Sequence, residues 1–178
     1  MVNMPPMAIQ DIRKYPDPVL RAKTGRVEAI DESLERLIDD MVETMHAAPG
    51  VGLAANQVGV PLQLAVIELG DHEAAGPHRS LVVLINPEMV SMEGSIVAEE
   101  GCLSVPDFTE KVKRAARVKV RAQDRKGRHF ELEADGLMAK ALQHEIDHLN
   151  GIVFIDRLSP IKRNIFRRKL KKALAEPA

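Results

Sequence analysis

The residues best suited to chemistry in this chain are His144 and His148, four positions apart, with Glu145 next to the first. On an α-helix, side chains at i and i+4 lie on the same face, so both imidazoles can reach a single metal ion. Glu145 lies one step round the helix, where its carboxylate can take a proton from a water that the metal activates. The spacing therefore predicts a catalytic metal site. The simpler interpretation is a solvated helix face that carries ordinary histidine and glutamate side chains.

A helical histidine pair supplies only two ligands, whereas a catalytic site usually has three protein ligands and one open position. The metzincin pattern continues to a third histidine, but Phe154 stands at that position here. Thermolysin-like enzymes use an acidic residue from a later helix, and only Asp156 and Glu176 follow His148. Asp156 is close behind the motif and Glu176 is near the end of the chain, so neither fits well. An upstream residue is the third route.

Cys102 is the only cysteine, in the run Glu-Glu-Gly-Cys-Leu-Ser-Val-Pro at 99–106. A lone cysteine cannot form an internal disulfide, so it is a buried thiol, a nucleophile or a metal ligand. Gly101 and Pro106 indicate a bend where backbone can come close to a ligand, rather than a plain core strand. One cysteine with two histidines is a known set of catalytic metal ligands.

A glycine-rich segment at 49–59 is the third unusual feature. It follows an apparent helix end, so a simple turn is one interpretation. It has neither the Gly-Lys-Ser/Thr of a phosphate loop nor the spacing of a dinucleotide fingerprint. Its exposed backbone and the amide of Gln57 suit hydrogen bonding to a peptide or to an oxyanion.

Together these three segments closely resemble the peptide deformylase family, whose motifs are Gly-x-Gly-Leu-Ala-Ala-x-Gln, Glu-Gly-Cys-Leu-Ser and Gln-His-Glu-x-Asp-His. All three motifs are complete, at 50–57, 100–104 and 143–148. The resemblance extends from about Ile9 to the final helix. It implies a hydrolase that removes the formyl group from the N-terminal formyl-methionine of new bacterial polypeptides and releases formate.

The resemblance also implies a cofactor. Cys102, His144 and His148 would hold one divalent metal ion per chain, ferrous iron in the cell, with zinc, nickel or cobalt able to occupy the same site. Ligand type alone does not decide between these metals, because affinity order and availability usually set the occupancy.

Other roles follow from the matching motif positions. Glu145 would act as the acid–base group, and the Gln57 amide and the Leu103 N–H would stabilise the oxyanion. Gly52 would contribute a backbone contact to a substrate that pairs as an added strand. The methionine side chain of an N-formylmethionyl peptide would enter an apolar pocket formed by Val51, Leu137, Ala141 and the flank of His144.

Three other functions stay open at this point. A zinc endopeptidase would account for the His-Glu-x-x-His motif alone. A non-catalytic metal-stabilised binding domain would use the same ligands only to hold the fold, although no second cysteine is available to close the site. A papain-like role for Cys102 as a nucleophile would require no metal.

The composition of the chain limits the classes of function and the cellular locations that remain. The 178 residues, 45% of them hydrophobic, are expected to form one catalytic domain over 1–178. The net charge of −1 argues against general affinity for nucleic acid, and no sequence-specific nucleic-acid partner is expected. The longest apolar runs are too short to span a membrane, the N terminus does not resemble a secretion signal, and one cysteine indicates a reducing compartment. We therefore expect a cytoplasmic protein with no membrane partner.

The pattern of elements predicts an α+β fold, with a mostly antiparallel or mixed sheet packed on a central metal-binding helix. One helix begins after Asp31 and ends before Pro49-Gly50, and the motif helix covers about 137–149. Strand-like runs lie at 62–69 and 81–86, with alternation at 89–98 and a hairpin formed by 117–123 and 128–134. The four other histidines, His46, His72, His78 and His129, receive no role, and His72 and His78 are expected to be solvated.

A last helix begins after Pro160, and 160–178 form a basic C-terminal segment. Between Lys162 and Lys172 it holds seven lysines or arginines and no acidic residue. Ile161, Ile165 and Leu170 could form an apolar edge that docks on the domain. The basic residues indicate either an ordinary solvated helix end or attachment to RNA phosphates. Resemblance to deformylases with a C-terminal helical extension implies that the partner is the ribosome, with catalysis on free peptides not requiring this helix.

Overall fold

The computed structural model describes residues 8–71 and 79–176, so that His72 and His78 lie outside the described residues. The helices are α1 (Glu32–Ala47), α2 (Gly136–Leu149) and α3 (Pro160–Ala175). The strands are β1 (Gly52–Ala54), β2 (Leu64–Ile67), β3 (Val82–Glu93), β4 (Ile96–Cys102), β5 (Val105–Arg114), β6 (Arg117–Gln123) and β7 (His129–Asp135). None of the described helices has both the length and the apolar character needed to cross a membrane.

The strands form two antiparallel sheets, one of five strands in the order β1-β2-β3-β6-β7 and one made of the β4-β5 hairpin. Side chains of α2, including Met138, Leu142 and Ile146, share a buried cluster with strand residues such as Leu84 and Val120. The predicted α+β fold with a sheet packed on the motif helix is therefore confirmed. This buried face of α2 packs against the five-stranded sheet and holds the helix in position.

Helix α1 packs on a second buried cluster, which includes Ile38, Met41 and residues from β1, β2 and β3. The helix begins as predicted, because the Asp31 carboxylate accepts a hydrogen bond from the N–H of Leu34 at 3.0 Å. Because α1 ends at Ala47, the glycine-rich segment 49–59 begins just before β1 and contains it.

The run from 81 to 98 divides differently from the prediction. We expected a break between 86 and 89, whereas β3 continues through Asn86 and Pro87 to Glu93. Asn86 adopts a φ of +52°, and the pairing register of β3 with β6 shifts between Ile85 and Glu88. This irregularity accommodates Pro87, so that β3 continues beyond the proline. The Asn86 amide stabilises this conformation through hydrogen bonds to the N–H and C=O of Val27. The real break is at Gly94, with a φ of +67°.

Two strands were not predicted from the sequence. Strand β1 is only three residues long, and β5 is highly charged on its exposed face, so neither has a strong apolar alternation. The bend inferred around Cys102 is present as the turn of Leu103 and Ser104 between β4 and β5, although Gly101 and Pro106 lie within these strands. The β4-β5 hairpin therefore determines the direction of the Cys102 side chain.

Helix α3 docks through an edge that matches the predicted one only at Leu170. Ile161 and Ile165 are exposed, whereas Phe166 is 3% exposed and Leu170 is partly buried. Phe166 packs in a third cluster with Tyr15 and Phe108, with ring centroids 5.7 and 4.8 Å apart. The large aromatic side chain buries more apolar surface than either isoleucine could, which decides the rotation of the helix.

Candidate metal centre

Helix α2 places His144 and His148 on one face, as their spacing requires. Their Nε2 atoms are 3.2 Å apart, and both side chains are buried. The Sγ of Cys102 lies 3.2 Å from His148 Nε2. One ligand atom from each of the three side chains therefore lies within 4.8 Å of the others. The structure brings together the three residues that the motifs indicated.

Cys102 reaches this position because it is the last residue of β4, directly before the turn that leads into β5. Two donors point at its sulfur: the N–H of Ser104, at 3.4 Å, and the side-chain amide of Gln57, at 3.6 Å. The same amide also donates to Ser104 Oγ at 3.1 Å, and Gln57 Oε1 accepts from the N–H of Ala54 at 2.9 Å. Donors aimed at sulfur stabilise a thiolate, which is the form that binds a metal.

The chemistry of these donors fits a metal ion. A thiolate and two imidazole nitrogens are ligands that zinc, iron, cobalt and nickel accept. Within the described residues, no fourth side chain that could bind a metal joins the group of Cys102, His144 and His148. Three candidate ligands without a fourth would leave one position for water or substrate, as in a catalytic rather than a structural site.

A buried ion-pair network lies behind the ligands and was missed by the sequence analysis. His144 Nδ1 is 2.9 Å from Glu100 Oε2. Arg114 donates two hydrogen bonds, of 2.9 and 2.7 Å, to the Glu100 carboxylate. Although burial raises the pKa of Glu100, the bonds from His144 and Arg114 outweigh it and lower that pKa to about 2. An ionised Glu100 fixes His144 with Nδ1 towards the carboxylate and Nε2 towards the metal position.

The network continues back to the motif helix. Arg114 Nη1 donates to Asp147 Oδ2 at 2.6 Å, and Arg157 Nη2 donates to Asp147 Oδ1 at 2.7 Å. Glu100 and Asp147 belong to the motifs quoted above, so their presence in the motifs was a usable signal. Arg114 and Arg157 carried no signal, because nothing in their spacing relates them to the motifs.

Glu145 points into the same space from the other side of His144. Its Oε2 is buried and has no hydrogen-bond partner among the described residues, which leaves an acceptor free for water or substrate. Burial raises the pKa of Glu145 to about 7. A carboxylate with a pKa near neutrality can both accept and return a proton. Its side chain lies against Gly52, where any Cβ would overlap it.

A cleft of about 450 Å³ opens in front of these groups. Besides the candidate ligands Cys102 and His144, its lining includes the other residues predicted for the site: Gly52, Val51, Gln57, Leu103, Leu137, Ala141 and Glu145. Val105 and Phe108 also line it and were not foreseen, because β5 was not predicted. The cleft is mostly apolar with a few convergent polar groups, as expected for a small-ligand site.

The positions considered for other enzyme classes have structural roles. Phe154, which stands where a metzincin would have its third histidine, is 1% exposed, with its ring centroid 6.3 Å from that of His144. Asp156 pairs with Arg21, whose Nη2 donates to Asp156 Oδ1 at 3.1 Å. Neither residue belongs to the group of ligand atoms.

Comparison with known proteins gives matches along nearly the whole chain. A family model described as polypeptide deformylase matches residues 9–164. A peptide deformylase of Syntrophobacter fumaroxidans is 58% identical over 170 residues, covering 96% of this chain and 98% of the relative.

Solved structures give the same result. The crystal structure of a peptide deformylase from Legionella pneumophila matches with a TM-score of 0.85 and 49% identity, covering 96% of this chain and 100% of that one. The peptide deformylase of Ehrlichia chaffeensis in complex with actinonin matches with a TM-score of 0.88 and 39% identity, covering 96% and 100%.

Proposed function

The chain belongs to the polypeptide deformylase family, and we propose that Cys102, His144, His148 and Glu145 form the site at which it acts. It is a metal-dependent hydrolase that removes the formyl group from the N-terminal formyl-methionine of nascent polypeptides and releases formate. The observation that carries the site assignment is the convergence of one sulfur and two imidazole nitrogens beside a carboxylate with a free, buried oxygen. We take residues 1–178 as one catalytic domain that includes the basic C-terminal helix.

Cys102, His144 and His148 would hold one divalent metal ion through Sγ and the two Nε2 atoms. When bound, this ion supplies Lewis-acid activation of the attacking water and of the formyl carbonyl. We propose ferrous iron in the cell, with zinc, nickel or cobalt able to replace it. Glu100 and Arg114 keep His144 oriented while the ion is exchanged, because their bonds do not involve Nε2.

Glu145 carries the proton in this scheme. It accepts a proton from the attacking water, then delivers it to the nitrogen of the departing amine as the C–N bond breaks. Its burial supports the role, because a buried carboxyl group with a pKa near neutrality can accept a proton as the carboxylate and return it as the acid. Gly52 keeps the carboxylate side chain directed into the cleft by leaving no Cβ in its path.

The oxyanion that forms on the formyl carbon requires preorganised donors. Gln57 is held beside Cys102 by its bond to the N–H of Ala54, so that its amide faces the metal position. The N–H of Leu103 follows the ligating cysteine in the turn between β4 and β5. We propose that these two groups donate to the oxyanion, with the Gln57 amide turning from Cys102 and Ser104 towards the substrate.

The methionine side chain of the substrate would enter the apolar part of the cleft. Val51, Leu137 and Ala141 line it on the side of β1 and α2, and the imidazole of His144 forms one flank. The peptide backbone beyond methionine would pair with the extended segments at Gly52 and at β5, which makes recognition largely independent of later side chains.

The rival functions are less well supported. An endopeptidase would have a third ligand at Phe154 or at a later acidic residue, and both Phe154 and Asp156 serve the core or an ion pair. A structural metal site would have a fourth protein ligand, and within the described residues the group contains three. Membership of the deformylase family favours neither alternative.

Formate release from formyl-Met-Ala-Ser tests the assignment, with acetyl-Met-Ala-Ser as the control substrate. We expect turnover of the formyl peptide and resistance of the acetyl peptide, because a site built round a formyl hydrogen has no room for a methyl group. The Glu145→Gln variant should retain its metal and its thermal unfolding midpoint while losing roughly 10²–10⁴-fold in kcat. Unchanged turnover in that variant would remove Glu145 from the mechanism.

We further propose that α3 attaches the enzyme to the ribosome, and that the enzyme works in the cytoplasm, where translation supplies formylated chains. Of the basic residues between Lys162 and Lys172, Lys162 pairs with Glu110 at 2.8 Å, and Arg163 donates to the carbonyls of Asp156 and Leu158. The others, from 167 onwards, are exposed and available to phosphates.

Charge reversal is a cleaner test of this attachment than removal of 160–178, because truncation would also remove the buried Phe166. A variant with Arg167, Arg168, Lys171 and Lys172 changed to Glu should lose salt-sensitive sedimentation with ribosomes yet deformylate a free tripeptide normally. A control with Lys23, Arg36, Lys111 and Lys126 changed to Glu has the same net charge and should still bind. Equal sedimentation of both variants at low salt would show that α3 is not the anchor.

A further inference from the structure

A second cavity lies on the other side of α2 from the cleft. It has a volume of about 620 Å³, compared with about 450 Å³ for the cleft. Positions 143, 146 and 147 of α2 and its C-cap residue Asn150 line this cavity, whereas positions 137, 140, 141, 144 and 145 line the cleft. Intervals of three and four residues keep each set on its own side of the helix. We call the second cavity the rear pocket.

Much of the rear pocket wall is apolar. Met89 and Met92 come from β3, Ile146 from α2, and Ile152 from the segment that follows α2. Met92 is 62% exposed, so its thioether side chain is available to a ligand. Methionine side chains are flexible and polarizable, and they adapt to apolar ligands of varied shape. An apolar group placed here would bury surface that now contacts water.

The rim of the rear pocket has an excess of positive charge. Lys113 is exposed and forms no ion pair with any residue in 8–71 or 79–176. Arg157 donates from Nε and Nη2 to Asp147 at 3.1 and 2.7 Å, while its Nη1 donates to none of the described residues. Among the described lining residues, Asp147 is the only acid, and its carboxylate is shared by two arginines.

The two arginines of the rear pocket, Arg114 and Arg157, are held in place before any ligand binds. Arg114 is buried and joins Asp147, at 2.6 Å, to Glu100. Asp147 in turn fixes the guanidinium of Arg157 with two hydrogen bonds. A ligand therefore meets an oriented donor at Arg157 rather than a freely rotating side chain, which lowers the entropy lost on binding.

We propose that the rear pocket binds a small organic anion, a carboxylate that carries a short apolar chain. The carboxylate would bind Arg157 Nη1 and the Lys113 ammonium, and the chain would lie on Met89, Met92 and Ile152. Charge and apolar surface both contribute, because the rim offers the unshared donors of Lys113 and Arg157 while Met89, Met92 and Ile152 offer apolar contact. The rear pocket shares no lining residue with the cleft.

Hexanoate is the probe that tests this, added to full-length zinc-loaded enzyme with ¹³C-labelled methionine methyl groups. The signals of Met89 and Met92 should move in a saturable manner, while those of Met41 and Met45, both fully buried in the cluster under α1, should not. Hexanol and inorganic phosphate, each of which lacks one of the two features, should bind more weakly.

A pair of variants on one strand makes the test specific. Lys113→Gln should weaken hexanoate binding roughly three- to tenfold, the usual worth of one exposed charge-assisted contact. Lys111→Gln, exposed on the same strand but outside the pocket lining, should leave it unchanged. Hexanoate that binds only at the zinc ion would titrate identically in both variants. That result overturns the proposal, as does a Met89 and Met92 response to hexanol equal to that to hexanoate.

Discussion

Glu145 and Gly52 are in direct contact across the cleft, with the carboxyl group of Glu145 against the α-carbon of the glycine. A Cβ at position 52 would overlap Glu145 Oε1 and lie 3.0 Å from its Cδ. The glycine of the first motif and the acid of the third thus depend on each other. The requirement for glycine at this position is steric, since its backbone conformation is not left-handed.

Gly52→Ala should therefore displace the Glu145 carboxylate. We expect kcat to fall roughly 100-fold, because a shift of about 1 Å in a catalytic group has that order of effect. Metal content should stay normal, since His144 and His148 are untouched. Gly25→Ala is the matched control, because its Cβ would meet only Pro61 O at 3.7 Å, an ordinary contact. Full activity in Gly52→Ala would show that Glu145 has another productive position.

Cys102→Ser should lose metal far more readily than it loses structure. The serine hydroxyl is a poorer ligand than a thiolate, so we expect metal to be removed by a competing chelator that leaves the wild type loaded. Far-ultraviolet circular dichroism should show the helices retained. The alternative of a papain-like nucleophile predicts instead alkylation of Cys102 with metal bound, and indifference of activity to chelators.

The iron form should lose activity in air faster than the nickel form. Ferrous iron is readily oxidised, and a thiolate ligand such as Cys102 is itself sensitive to the oxidants formed. Parallel incubations under oxygen and under nitrogen, assayed with a formylated tripeptide, give the two half-lives. Equal half-lives of the iron and nickel forms under oxygen would contradict this expectation.

Gln57→Leu should reduce kcat by roughly 10²–10³-fold, the usual effect of losing one oxyanion donor. Metal binding should weaken only modestly, because Gln57 contacts the sulfur of Cys102 at 3.6 Å without being a ligand. Ser104→Ala separates the two roles of the amide. It removes the 3.1 Å partner of Gln57 but leaves the donor, so we expect turnover to change only a few-fold.

Arg114→Met should destabilise the fold strongly. It leaves Glu100 and Asp147 as buried carboxylates without their shared guanidinium, and the breaking of a buried ion pair typically costs about 3–5 kcal/mol. The free energy of unfolding in urea measures the loss. Arg121→Met, which removes an exposed pair with Glu131, is the control and should change stability little. A similar small effect for both variants would show that the buried network is not stabilising.

The local parts of this protein could be predicted from the sequence. The four-residue spacing of His144 and His148 determines that they share a helix face, because the geometry of an α-helix is fixed by its own hydrogen bonds. Asp31 predicted the start of α1, and the turn at 124–127 predicted the β6-β7 hairpin. Cys102 became the candidate third ligand because it is the only cysteine, and the resemblance of motifs chose between the alternatives open for it.

Only the tertiary structure decided how distant segments meet. Cys102 reaches His148, 46 positions later, because the β4-β5 hairpin packs beside α2, and β5 has no apolar alternation by which to recognise it. The same packing brings Arg114 between Glu100 and Asp147, and chooses Phe166 over Ile165 as the docking side chain of α3. Such contacts depend on the summed burial of many side chains from several elements, which no short window of sequence contains.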